Sequence, residues 1–137
     1  MKIYSAKKSD INGCLTLLKQ TKETHFNRKK LNLAIDNKNT ILLVAKEDDK
    51  VVGYVIGYIS PCNYYDAILQ ETRVAIAHRR QGIATKLIGG FLDVCKKQKV
   101  KCVGAVIGND DVNGVNLYLK NGFSKEDDWG WYEAKNK

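Results

Sequence analysis

The chain predicts a mixed α/β fold, a central sheet with helices packed over it. Three observations carry that expectation. Short apolar runs of strand length alternate with segments whose apolar residues recur every three or four positions. Polar and glycine-containing breaks separate them in the order β-α-α-β-β-β-α-β-α-β. The size of 137 residues, with 44% hydrophobic and 28% charged side chains, suits one globular domain spanning residues 1–137.

Lys2 to Ala6 is the first strand candidate. Ser9 or Asp10 then stands where a helix N-cap belongs, and Ile11, Cys14, Leu15 and Leu18 form one apolar stripe. A weaker helix is expected over Arg28 to Ile35. Thr40 to Lys46 and Val51 to Ile59 read as strands joined by the hairpin turn Glu47-Asp48-Asp49-Lys50. The only proline, Pro61, starts a loop holding Tyr64 and Tyr65, and Ala67 to Ile76 is then extended. Ala84, Leu87, Ile88, Phe91, Leu92 and Cys95 lie on one helical face, the clearest periodicity in the chain. Cys102 to Ile107 is a buried-strand candidate. A helix over Val112 to Asn121 ends at Gly122, a suitable C′ residue. Trp129 to Ala134 is the last strand candidate.

Several function classes are disfavoured. No apolar run approaches the ~20 residues that span a bilayer, and Lys7 and Lys8 stand where a signal peptide would be apolar. A cytoplasmic protein without a membrane partner is expected. The four cysteines (Cys14, Cys62, Cys95, Cys102) contain no Cys-x-x-Cys pair, and the histidines are only His25 and His78. Reduced, mostly buried thiols and no metal site follow. The formal charge is +8, and its densest run is Lys96, Lys97, Lys99 and Lys101. No aromatic residues interleave with that run, so it reads as a solvated helix end and not as a nucleic-acid surface. The positive field also favours an anionic ligand.

The segment His78-Arg79-Arg80-Gln81-Gly82-Ile83-Ala84-Thr85 links the extended run to the periodic helix. The first amides of a helix lack intrahelical partners and sit at the positive end of its dipole, which suits phosphate. Arg79 and Arg80 add charge, and Gly82 lets a ligand approach the backbone.

These residues resemble the acetyl-CoA signature of the GNAT superfamily of N-acetyltransferases. That signature is Arg or Gln, two variable residues, Gly, one variable residue, then Gly or Ala; here it is Arg79-Arg80-Gln81-Gly82-Ile83-Ala84. A valine usually stands five residues before it, and Val74 does so. The family's closing pattern appears as Leu117-Tyr118 and Gly122-Phe123. Ile76 departs from the pattern, replacing a common proline, and the stretch after Gly122 is short enough for abbreviated final strands.

The resemblance implies a mostly antiparallel sheet splayed after its fourth strand. It implies the pyrophosphate of coenzyme A against the backbone of Arg80 to Thr85, with Arg79 beside it. Val74, Ala75 and Ile76 would meet the pantetheine arm through main-chain groups, one amide near Val74 polarising the thioester carbonyl. Tyr118 aligns with a tyrosine that protonates the departing thiolate, the alternative being a buried tyrosine with its hydroxyl satisfied. Asn109, Asn113 and Asn116 are candidate pantetheine or phosphate contacts, though helix capping or solvent exposure explains them too. The acceptor amine must lose a proton, and Glu71 is the preferred base, directly or through water. Pairing of Glu71 with Arg73 is the competing reading, and His25 is the second candidate base. His78 is expected to face solvent, while Tyr64 and Tyr65 are candidate acceptor-loop residues.

The implied reaction is direct acetyl transfer from acetyl-CoA to a primary amine on a polyamine, an aminoglycoside-like molecule or a peptide. Acidic residues Glu126, Asp127 and Asp128, with Asp110 and Asp111, would attract such an acceptor if they line its cleft. The alternative is a non-catalytic module that binds coenzyme A as a sensor. Family resemblance also allows a homodimer.

Overall fold

The structure, a computed structural model, describes residues 1–20, 26–62, 64–108, 110–126 and 132–135. Strand β1 (Lys2–Ser5) leads through a 3₁₀ turn (Lys8–Asp10) into helix α1 (Ile11–Leu18), followed by α2 (Arg28–Asp36). The long hairpin β2 (Thr40–Glu47) and β3 (Lys50–Ile59) comes next, then β4 (Ala67–Val74) and a second 3₁₀ turn (Ile76–His78). Helix α3 (Ile83–Lys97), β5 (Val103–Ala105) and α4 (Val112–Lys120) complete the described elements. The sheet runs β1-β2-β3-β4-β5, antiparallel as far as β4, with β5 parallel to β4.

Strand β2 is apolar on both faces, so both faces are covered. Leu43 joins Val55, Leu69, Leu87 and Phe91 beneath α3, while Val44 joins Tyr54, Cys14 and Leu31 beneath α1 and α2. The β2–β3 turn places Asp48 at φ 49° and Asp49 at φ 63°, the two consecutive left-handed residues a tight hairpin needs.

Asp10 does not cap α1 as the sequence suggested. Its carboxylate accepts the Lys7 amide at 2.8 Å and pairs with Lys46 at 2.8 Å, closing the 3₁₀ turn and tying it to β2. Among the described residues no side chain caps α1, so Ser9 does not take that role either. Asn27 caps α2 by accepting the Lys30 amide at 2.9 Å.

Strand β4 carries the irregularity on which the site is built. Ile56 pairs with Glu71 and Gly57 with Leu69, so Gln70 is an extra residue, a β-bulge. Only glycine fits at 57, because a Cβ there would collide with the Ile68 carbonyl and the Phe91 ring. Inserting one residue reverses the faces of everything after it. Leu69 faces α3; past the bulge, Thr72 aligns with Val55 on that face, and Glu71 and Arg73 align with Ile56 and Tyr54 on the α1–α2 face.

Parallel pairing of β4 with β5 covers only Ala67, Ile68 and Leu69, and the Val106 amide makes the last link to the Leu69 carbonyl at 3.3 Å. Beyond it β4 continues to Val74 while β5 has ended, so the sheet splays. The strand expected to reach Ile76 stops at Val74, because the Ala75 amide makes the last bond to β3, at the Val52 carbonyl, before the chain turns. Strand β5 (Val103–Ala105) ends short of the expected Ile107 because it loses its partner β4 at the splay. Of the last expected strand, 129–131 lie outside the described residues, and 132–135 are not in a strand.

Candidate active site

The turn between β4 and α3 leaves a row of amides without partners. Arg80 (φ 63°) and Gly82 (φ 77°) are both left-handed, and α3 starts at Ile83 with no side-chain cap. The Lys86 amide, bonded to the Gly82 carbonyl at 3.1 Å, is the first amide from Arg80 onward with a hydrogen bond. Among the described residues no acceptor meets the amides of Arg80, Gln81, Gly82, Ile83, Ala84 and Thr85. Nothing lies within 4 Å of where a Gly82 Cβ would stand, so the space above this backbone is open. The dipole of a 15-residue helix points its positive end there. A diphosphate fits this corner in charge, donors and room.

Two neighbours brace the corner. The Arg79 Nε donates to the Val74 carbonyl at 3.3 Å, which draws its guanidinium back along the strand. His78 does not simply face solvent: its Nε2 lies 2.8 Å from Glu47 Oε2, pinning the corner to the β2–β3 turn. The Ile76 amide is already engaged by Gln20 Oε1 at 3.0 Å, so the main-chain contact expected of it is reduced.

Tyr118 sits in the splay. It is 6% exposed, packs in one core with Val74 and Ile83, and stacks edge-to-face on Phe123 at 5.3 Å. Its hydroxyl lies 3.1 Å from Thr72 Oγ1, where β4 has no β5 partner. Burial raises the phenol pKa, opposed in part by the Thr72 bond, so the proton stays on oxygen at neutral pH. Asn113 and Asn116 are exposed on α4, while Asn109 is outside the described residues. Asp111 caps α4 by accepting the Gly114 amide at 2.9 Å.

On the opposite face, Glu71 is held at both oxygens. Oε2 accepts the Tyr54 hydroxyl at 2.5 Å, and Oε1 accepts Arg73 Nε at 2.9 Å and Nη2 at 2.6 Å. The competing reading of Glu71, pairing with Arg73, is therefore realised. Burial, with the Glu71 charge next to it, pushes the Tyr54 phenol far up, so it remains a donor. Neither Tyr54 nor Thr72 was singled out from the sequence. Each sits in an apolar strand pattern, and only the pairing register brings it to its partner.

Of the remaining candidates, Tyr65 lies against Gly104, where even a Cβ would strike its ring, and Tyr64 is exposed. His25, Asp127 and Asp128 lie outside the described residues. Cys14 and Cys95 are buried, but Cys62 and Cys102 are exposed, so only half the thiols are buried as expected. No helix of the described residues is long and apolar enough to cross a membrane.

The class of fold is thus a helix-covered mixed sheet, splayed beside a helix start whose amides are open. The chain belongs to the acetyltransferase (GNAT) family, whose profile matches residues 11–123. It is accordingly an N-acetyltransferase with acetyl-CoA as co-substrate. Curated protein sequences gave no match. Among solved structures, aminoglycoside antibiotic 6'-N-acetyltransferase AAC(6')-IG from Acinetobacter haemolyticus superposes with a TM-score of 0.84 at 19% identity, covering 100% of both chains. Aminoglycoside N-acetyltransferase AAC(6')-Iy in complex with CoA gives 0.83 at 14% identity, covering 98% of this chain and 100% of that one. A transcriptional regulator from Bacillus halodurans C-125 gives 0.84 at 18% identity, covering 97% and 99%. At such identities the likeness is one of fold.

Proposed function

We propose that the protein moves the acetyl group of acetyl-CoA directly onto a primary amine of a small molecule or peptide. One observation carries this reading: the partnerless amides of residues 80–85 open at the same end of β4 where Tyr118 stands in the splay. The amides of Arg80 to Thr85 hold the diphosphate, and the backbone of Val74 and Ala75 flanks the thioester arm. Arg79, anchored on Val74, and the exposed Asn113 and Asn116 on α4 border that arm.

The proton steps fall to two side chains on opposite faces of β4. Glu71 receives the proton the acceptor ammonium gives up. Three of the roughly four acceptor positions of a carboxylate are already used, so the transfer runs through water at the remaining one. The freed amine attacks the thioester carbon, the C–S bond breaks, and the Tyr118 hydroxyl gives its proton to the leaving thiolate. The attacking nitrogen gives up its second proton to water and water reprotonates Tyr118, so the ammonium becomes an amide with coenzyme A and one proton released. Reduced thiols at all four cysteines fit a cytoplasmic setting.

Thermal shift with acetyl-CoA, followed by coenzyme A release over an amine panel, tests the proposal. Saturation at ~100 times Kd adds ~2.7 kcal/mol and raises Tm by several degrees. The three hydrogen bonds already made by Glu71 favour a second reading, a coenzyme A sensor without turnover. Binding with no thiol release from any amine would decide for it.

A further inference from the structure

A groove of about 410 Å³ runs on the α1–α2 face between α2 and strands β3 and β4. One wall is Phe26, Leu33 and Ala34; the other includes Ile56, Tyr58 and Gln70. Leu33 is 59% exposed and Tyr58 37%, so large apolar side chains face water on both walls. Exposing such a surface costs free energy that covering it with something apolar recovers. Among the described residues that line the groove there is no Asp or Glu, and the charged one is Lys30.

The groove is placed to serve the reaction. Gln70 is the bulge residue, and Ile56 is the register partner of Glu71. Glu71 does not itself line the groove, but it follows the lining residue Gln70 and lies across from Ile56. One end of the groove is therefore one residue position from the carboxylate that Tyr54 and Arg73 hold. A polycation needs several carboxylates to replace its hydration, and the described residues of these walls offer none. An aromatic or branched aliphatic body instead gains by displacing water from Leu33 and Tyr58.

We infer that the acceptor is a primary monoamine on an aromatic or branched apolar body, seated in this groove with its nitrogen toward Glu71. This rests on the acetyltransferase reading above. The assignment separates the protein from the aminoglycoside enzymes that share its fold. The residues that attract the acceptor are then the apolar walls, and not the acidic stretch at Glu126.

Initial rates of coenzyme A release with 2-phenylethylamine and with spermidine test this in the full chain. The apolar amine should win by at least about tenfold in kcat/KM, the scale set by apolar pocket contacts. Leu33→Glu and Tyr58→Glu, both at exposed positions, should raise KM for 2-phenylethylamine and shift preference toward spermidine. Equal or better use of spermidine, or an unchanged ratio in both variants, overturns the inference while leaving acetyl transfer intact. Should neither amine turn over, amide NMR shifts of the coenzyme A-saturated protein titrated with 2-phenylethylamine decide it. Shifts centred on Leu33, Ile56 and Tyr58 support the groove as the seat of the amine; no shifts there overturn the inference.

Discussion

The hydroxyl of Tyr118 on α4 lies 3.1 Å from Thr72 Oγ1 on β4, although 46 residues separate them in the chain. The contact falls where β4 has left β5 behind, so it bridges a gap that backbone hydrogen bonds do not close. It fixes the phenol with its proton in place beside the strand that the thioester arm follows in the proposed mechanism.

Tyr118→Phe keeps the ring against Phe123 and removes only the hydroxyl. The loss of one buried hydrogen bond should cost about 1 kcal/mol of stability. A general acid contributes ~10²–10⁴-fold, so kcat should fall by at least about a hundredfold with little change in KM for acetyl-CoA. Steady-state kinetics beside thermal melts check it; an unchanged kcat removes the proton-donor role.

Gly82→Val acts on the corner. A left-handed β-branched residue costs ~1–2 kcal/mol, and its methyl groups fill the space over the open amides. The variant should stay folded, yet lose most of the Tm increase given by acetyl-CoA. A full ligand shift in Gly82→Val would place the diphosphate elsewhere.

Glu71→Gln tests the three-residue link on the other face. It removes the charge of Glu71 from the half-buried Arg73, and stability should drop by about 1–3 kcal/mol. Turnover should fall with it, while Tyr54→Phe, which spares the ion pair, should lose less of both. Urea midpoints and initial rates on the two variants measure the order.

The thiols should divide into two classes. Burial pushes Cys14 up to about 12 and Cys95 up to about 11, leaving both protonated and shielded at neutral pH. Cys62 and Cys102 should react with a thiol reagent at once, the other two only on unfolding. Direct transfer needs no thiolate, so alanine at each cysteine should spare turnover in every variant that folds. Inactivity of a folded single variant would point to an acyl-enzyme.

Acid should loosen the link between α1 and the sheet. Asp10 is buried, which by itself raises its pKa, but Lys46 and the Lys7 amide outweigh burial and hold it below 3.8. Its stabilisation is thus complete at neutral pH and is lost as pH falls below about 4 through the lowered folded value. The Tm difference between wild type and Asp10→Asn should be constant from pH 8 to about pH 5, then shrink. A difference that grows toward low pH would contradict the sign.

What could be read along the chain was whatever lies within a few contiguous residues. The His78–Thr85 run marked the helix start, Asp48-Asp49 marked the hairpin, and the Ala84–Cys95 stripe marked the helix that covers the sheet. Strand and helix identities followed from periodicity, because burial of one face leaves a regular trace. Tyr118 was found through the short pattern it shares with Gly122 and Phe123. Contacts that depend on strand register left no such trace. The bulge at Gln70, made possible by Gly57, sends Glu71 and Arg73 to Tyr54 on one face and Thr72 to Tyr118 on the other. A period-two reading of β4 puts Leu69, Glu71 and Arg73 on one side, and a single added residue separates them. Folding in three dimensions therefore chose the partners of the candidate base and acid, since pairing with β3, and not local propensity, set where β4 gained its extra residue.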